Sequence, residues 1–150
     1  MTLALYTRPD PDYRLSQAGN DFHNPLSVSL DGVVGGAVVR KLYLRNDNND
    51  RYYTNITLQA VDTSYPQYTN QTDWNWKLAE ADLSPPEEAW AEIDPGNILI
   101  LSTSMGSSSQ GETGVYYTIW LRVQAPSKQL AKNVSSIVIR LNAEERLVGV

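Results

Sequence analysis

VYYTIWLRVQA, residues 115–125, is the stretch that decides the fold. Tyr117, Ile119, Leu121 and Val123 fall on one side of an extended chain. Tyr116, Thr118, Trp120 and Arg122 fall on the other. Side chains of a strand alternate faces with a period of two, so the first set reads as a core face and the second as an aromatic and polar outer face. Glu112, Thr113 and Gly114 open the stretch and Pro126 closes it, as turn and breaker residues do at strand ends.

Working outward, the same alternation recurs. Towards the C-terminus, a turn at 126–133 leads to Ile137, Ile139 and Leu141 alternating with Val138, Arg140 and Asn142, followed by a tail, 144–150, that ends apolar. Towards the N-terminus, GSSSQGETG at 106–114 reads as loop and ILILS at 98–102 as a short buried strand. A turn is expected at 94–97. Ser84 followed by Pro85, Pro86, Glu87 and Glu88 predicts one short helical turn over 84–90. Trp74, Trp76 and Leu78 share a face of another strand, and 63–72 is a polar loop. The segments 37–45 and 51–62 flank an Asn/Asp loop, with Val38, Leu42 and Leu44 expected on one face of the first and Ile56, Leu58 and Ala60 inward on the second. Leu26, Val28 and Leu30 give the first core strand.

Residues 1–24 read as an N-terminal arm and 25–150 as one β domain. Pro9 and Pro11 enforce extended or turn geometry within the arm. Leu3, Leu5 and Tyr6 suit a short edge strand. They stand, with Tyr13, Leu15 and Phe22, as candidates for contact with a neighbouring subunit, the other reading being a coil packed on its own domain. Leu147, Val148 and Val150 are the matching candidates in the tail. About seven or eight strands punctuated by turns are the pattern of a two-sheet antiparallel, immunoglobulin-like β-sandwich, with a jelly-roll-like barrel as the competing arrangement.

Composition bounds the function. The chain has 150 residues, enough for a core without staples, and no cysteine, which excludes a disulfide framework or a thiolate metal site. A formal net charge of −5 and the absence of any Lys/Arg run argue against nucleic acid or anionic lipid as the partner. No apolar run reaches membrane-spanning length, and the first fifteen residues lack the basic and apolar regions of a signal peptide.

Candidate chemistry is sparse. Asn46, Asn48 and Asp50 alternate hard oxygen ligands of the kind calcium takes, yet the glycine and distal glutamate of an EF-hand are missing, and Asn and Asp are also turn formers. His23 is the sole histidine and has no Gly-x-Ser-x-Gly elbow to serve. The acids at Glu87, Glu88, Glu92 and Asp94 suit the start of a helical turn rather than a glycosidase pair. Trp74, Trp76, Trp90 and Trp120, with Tyr52, Tyr53, Tyr65, Tyr68 and Tyr116, suit a core, an interface or a sugar platform. Three glycosylation tripeptides begin at Asn55, Asn70 and Asn133, a pattern too short to be specific.

KLYLRNDNNDRYYTNITLQAVD, residues 41–62, resembles the strand–Asn/Asp loop–strand pattern of small immunoglobulin-like domains in tailed-bacteriophage virions. YYTIWLRVQAP, residues 116–126, resembles the late tyrosine-rich strand of similar domains, which ends in Arg-Val and Pro. The likeness spans residues 26–141. It implies no catalytic residues and no cofactor. It implies instead a virion component assembled in the host cytoplasm: a capsid decoration (cement) protein bound to the major capsid protein, or a tail or baseplate accessory bound to tail proteins, and a homo-oligomer in the assembly. A carbohydrate-binding module on the same architecture, with calcium at Asp47 and Asp50, is the principal competitor, and an enzyme the last.

Overall fold

The computed structural model of the chain describes residues 3–15, 26, 36–62, 75–93, 97–102, 104–111, 113–125 and 137–150. Among these residues eight strands run in chain order: β1 (Leu3–Tyr6), β2 (Gly36–Asn46), β3 (Arg51–Asp62), β4 (Asn75–Glu80), β5 (Ala91–Glu92), β6 (Leu99–Ile100), β7 (Tyr117–Ala125) and β8 (Ile137–Leu147). They form two antiparallel sheets, ordered β1-β2-β7-β4-β5 and β6-β3-β8. The fold is therefore an all-β two-sheet sandwich. The sheets do not close on one another, so the jelly-roll-like barrel is set aside.

Strand β7 lies at the centre of the five-stranded sheet. Its pairing with β2 runs from Gly36 opposite Ala125 to Leu44 opposite Tyr117. On its other side β4 pairs from Asn75 opposite Gln124 to Glu80 opposite Ile119. Ile119, Leu121 and Val123 are buried, as the alternation requires, and meet Leu42, Leu44, Trp76 and Leu78 from the flanking strands. Ile56, Leu58 and Ala60 of β3 face them from the other sheet. Each fully buried aliphatic side chain contributes about 1.5–3 kcal/mol, so this layer is the principal source of stability.

Strict alternation breaks once in β3. Tyr53 is fully buried, yet so are Ile56, Leu58 and Ala60, which have the opposite parity. A β-bulge reconciles them. Thr54 pairs with Glu144 and Thr57 with Asn142, so three steps on β3 match two on β8. The extra residue, Asn55, takes φ 49°, the left-handed region that Asn tolerates better than most side chains.

Besides side-chain packing, two hydrogen-bonded links join the sheets among the described residues. Ile93, fully buried, donates its N–H to the Trp76 carbonyl (2.9 Å) and accepts from the Ala60 N–H (2.8 Å), bridging β4 and β3 through backbone. Glu80 of β4 accepts from the Ser102 N–H (2.8 Å), the Ser102 hydroxyl (2.8 Å) and the Tyr117 hydroxyl (2.7 Å).

The two readings of the N-terminal segment separate, and two other expectations are corrected. Residues 3–15 pack on their own domain. Strand β1 joins the five-stranded sheet beside β2, and the chain then turns back: the Thr7 N–H donates to the Tyr13 carbonyl (3.0 Å) and the Leu15 N–H to the Leu5 carbonyl (2.8 Å). Leu3 and Leu5 bury in the core because β1 extends its inner face. The tail expected from residue 144 onward is strand as far as Leu147, since β3 continues to Arg51 and gives it a partner. ILILS is not uniformly buried: only Leu99 and Ile100 are strand, Leu101 points inward, and Ile98 and Ile100 are 54% and 66% exposed. The expected strand at Leu26–Leu30 lies outside the described residues except Leu26, which packs against the core. The helical turn of 84–90 is present as a 3-10 turn, Glu87–Ala89.

The bulge gives a direct test. Asn55→Val puts a β-branched side chain at positive φ and should lower unfolding stability by about 1–3 kcal/mol, whereas Asn55→Gly should stay within about 1 kcal/mol of the parent. Denaturant titration distinguishes them, and equal losses in both variants would contradict the left-handed assignment.

Candidate interaction surfaces

The outer face of the five-stranded sheet carries the other half of the alternation. Lys41 of β2, Trp120 of β7 and Ala79 of β4 lie side by side across three strands. The Lys41 ammonium sits 4.7 Å from the Trp120 ring centroid, and the Trp120 indole N–H donates to the Ala81 carbonyl at 2.8 Å. One row along, Arg122 forms a two-pronged ion pair with Glu87 (2.8 and 3.0 Å) and stacks 4.8 Å from the centre of Trp90. The Arg122 guanidinium holds the Glu87 carboxyl below its usual range. Segment 81–90 is thereby fastened across the sheet by side chains whose alternation on β7 put them there.

Near the start of β7, four groups interlock. Arg45 pairs with Asp47 and with the Tyr116 hydroxyl, and its guanidinium lies 5.0 Å from the Tyr116 ring centroid. Tyr6 meets Tyr116 edge-on, with centroids 5.7 Å apart, and donates its hydroxyl to Asp47 at 2.6 Å. Burial, then the hydrogen bond to Asp47, pushes the Tyr6 hydroxyl up from 10.0 to about 12.

The Asn/Asp loop is spent on its own geometry. Asn46, the buried polar residue of the core, accepts from the Asn48 N–H (2.9 Å) and donates to the carbonyls of Asn48 (3.1 Å) and Arg51 (2.9 Å). The Asn48 side-chain oxygen accepts from the Asp50 N–H (2.8 Å). These are the local bonds by which Asn shapes turns. They direct Asn46 and Asn48 at backbone rather than at a shared point with Asp50, so the calcium reading of Asn46, Asn48 and Asp50 is not supported. Asp47, the other calcium candidate, is engaged by Arg45 and Tyr6. Among the described residues no three His, Cys, Asp or Glu side chains gather as a metal site would require.

A neighbouring loop packs closely on this turn. A Cβ on Gly111 would stand 2.3 Å from the Asn49 carbonyl oxygen, so only glycine fits, and the Thr113 hydroxyl donates to the Asn49 side chain at 2.6 Å. The chain end is tied to the same place: the Val148 N–H donates to Asp50 (3.0 Å) and the Gly149 N–H to Ser108 (2.7 Å).

The sequence candidates for partner contact now separate. Leu3, Leu5 and Tyr6 are buried in their own domain at 2%, 5% and 2% exposure, so none is open to a neighbour. Tyr13 is half-buried under Arg8, whose guanidinium lies 4.6 Å from the ring, and Leu15 packs on the core. Leu147 is 44% exposed, Val148 half-buried and Val150 91% exposed. Phe22 and His23 lie outside the described residues. What the sequence did not single out is the long edge of β8. Ten of its eleven residues pair with β3, Ala143 at the bulge being the exception, and among the described residues no strand pairs with its other edge. Arg140, Asn142 and Glu144 are exposed along it. The signal was present in the alternation from Ile137 onward, but an edge strand and a central strand share that signal.

Compared with protein-family models, curated proteins and solved structures, the chain matches none of them.

The Tyr6 hydroxyl gives a pH test. Its pKa is raised on folding, so its contribution is complete below pH 10.0 and is lost as pH rises towards about 12, because the unfolded chain releases the proton first. Tyr6→Phe should flatten the fall in stability between pH 10 and 12 and cost about 1 kcal/mol at neutral pH. Parallel curves for parent and variant would contradict the buried hydrogen bond.

Proposed function

We propose that this chain is a non-catalytic assembly module, most specifically a decoration protein on the head of a tailed bacteriophage. The observation that carries the reading is the outer edge of β8, with which no strand pairs among the described residues. An exposed row of backbone donors and acceptors is a template for another chain's strand. The finer assignment to a phage head draws its support from the resemblance of residues 41–62 and 116–126, with the acidic, cysteine-free composition compatible with folding before addition to a shell. A tail or baseplate position uses the same surface and differs only in the protein that receives it.

The carbohydrate-binding alternative needs open aromatic faces on which sugar rings stack. Trp76 is 6% exposed, while Trp120, Trp90 and Tyr116 each carry a cationic side chain over the ring. Those contacts favour a protein-facing surface over a sugar platform.

The test is where the chain sediments. A tag on the exposed terminus at Val150 leaves the β8 edge untouched. In lysates of producing cells the tagged chain should move with a megadalton particle and be released as an intact folded protein. Migration only as small species, combined with specific binding on a glycan array, would overturn the proposal in favour of the carbohydrate module.

A further inference from the structure

The residues along β8 say what pairs with its edge. Exposed edges are blunted by charged side chains, proline, bulges or a covering segment, but opposite charges in a self-complementary order attract a second copy rather than repel it. Here Arg140, Asn142 and Glu144 run plus, neutral, minus along the exposed face, and 137–147 contains no proline. We infer that β8 pairs antiparallel with β8 of a second copy of this chain, across a two-fold axis at Asn142. This deepens the assembly reading above and rests on it.

The register follows from symmetry. A two-fold axis normal to the sheet passes midway between the two copies of one residue, which then face each other. Centred on Asn142, Arg140 of one protomer faces Glu144 of its partner, and the reverse pair is generated by the axis. Opposite charges facing across strands are stabilising and like charges are not. Centring on Arg140, Glu144, Glu145 or Arg146 sets a charge against its own copy. Centring on Ala143 sets Arg140 against Arg146, and centring on Leu141 forms no charged pair. Asn142 is thus the centre that pairs these charges without a like-charge clash.

On the inner face the same register puts Leu141 opposite Ala143, both partly buried against the core, and so continues the apolar layer across the junction. Ile139 faces Glu145, an apolar–acid pair at the margin where the Glu145 side chain is 36% exposed. Glu144 already pairs with Arg146 of its own chain at 2.8 Å, and this bond holds its carboxyl below the usual range, so it is charged at neutral pH. Arg146 remains beside it when Arg140 of the second copy arrives. The three-stranded sheet becomes six-stranded, ordered β6-β3-β8-β8-β3-β6.

The chain has no cysteine, so a single introduced thiol reports one position. Facing residues at the axis stand about 4.5–5.5 Å apart between Cα atoms, within disulfide reach. Two copies of residue 144 are offset by four residues, about 14 Å along the strand, and are out of reach. Under mild oxidation the full-length Asn142→Cys variant should cross-link to a species of twice the 16.8 kDa chain mass, at least about tenfold faster than Glu144→Cys. In sedimentation equilibrium, Arg140→Glu should weaken the dimer by about tenfold, and adding Glu144→Arg to it should restore association.

A monomer at every concentration with residue 142 unlinked would overturn the inference. Equal cross-linking at 142 and 144 would overturn the register. A particle-bound chain that fails to dimerise would sink this inference while leaving the assembly role standing. A dimer that never associates with a particle would do the reverse.

Discussion

Strand β7 is hydrogen-bonded along both edges, to β2 and to β4, and it presents a different chemistry on each face. That double constraint governs the rest of the molecule. Because both edges are used, a register slip of one residue would carry Ile119, Leu121 and Val123 to the outside and bring Trp120 and Arg122 into the core. Burying Arg122 without its Glu87 partner would cost several kcal/mol, and exposing three aliphatic side chains would cost about 1.5–3 kcal/mol each. Register is therefore fixed by energy on both faces at once, and the neighbouring strands inherit it.

The outer face follows from the inner one. With Ile119, Leu121 and Val123 inward, Trp120 and Arg122 must face outward, where Lys41 and segment 81–90 close over them. The cation–ring contacts are each worth about 0.5–1 kcal/mol at exposed sites, too little to hold the fold but enough to fasten a loop that is already near. The opposite sheet is differently built. It has three strands, and its long outer member β8 meets only β3 among the described residues. Among the described residues the molecule thus pairs a five-stranded sheet with a three-stranded one whose outer strand has a partner on one edge.

How much of this was legible in the residues depends on where local pattern decides structure. The alternation of 117–123 named its core face because turn residues bound the stretch and nothing within it breaks the period. The same logic failed around Tyr53. One added residue reverses parity, and Asn55 gives no warning in a chain where Asn is common. The start of the chain was legible as a short edge strand but not in its attachment. Whether Leu3 and Leu5 pack on their own sheet or on a neighbour's depends on β2 offering a partner, which is a long-range fact. The Asn/Asp loop offered two chemistries from one composition, and the bonds of Asn46 and Asn48 to nearby backbone settle it as a turn. That β8 has no partner on its outer edge among the described residues was invisible, since alternation reports burial of a face and not occupation of an edge.

Amide hydrogen exchange along β7, read residue by residue, tests the account at its centre. A strand bonded on both edges within the core opens only when the whole domain unfolds, so the amides of 117–125 should be the slowest in the protein and share one opening free energy equal to the global value. Exchange in β7 as fast as in the 104–114 loop, or protection that falls away along one of its edges, would contradict the placement of this strand and with it the assignment of both faces.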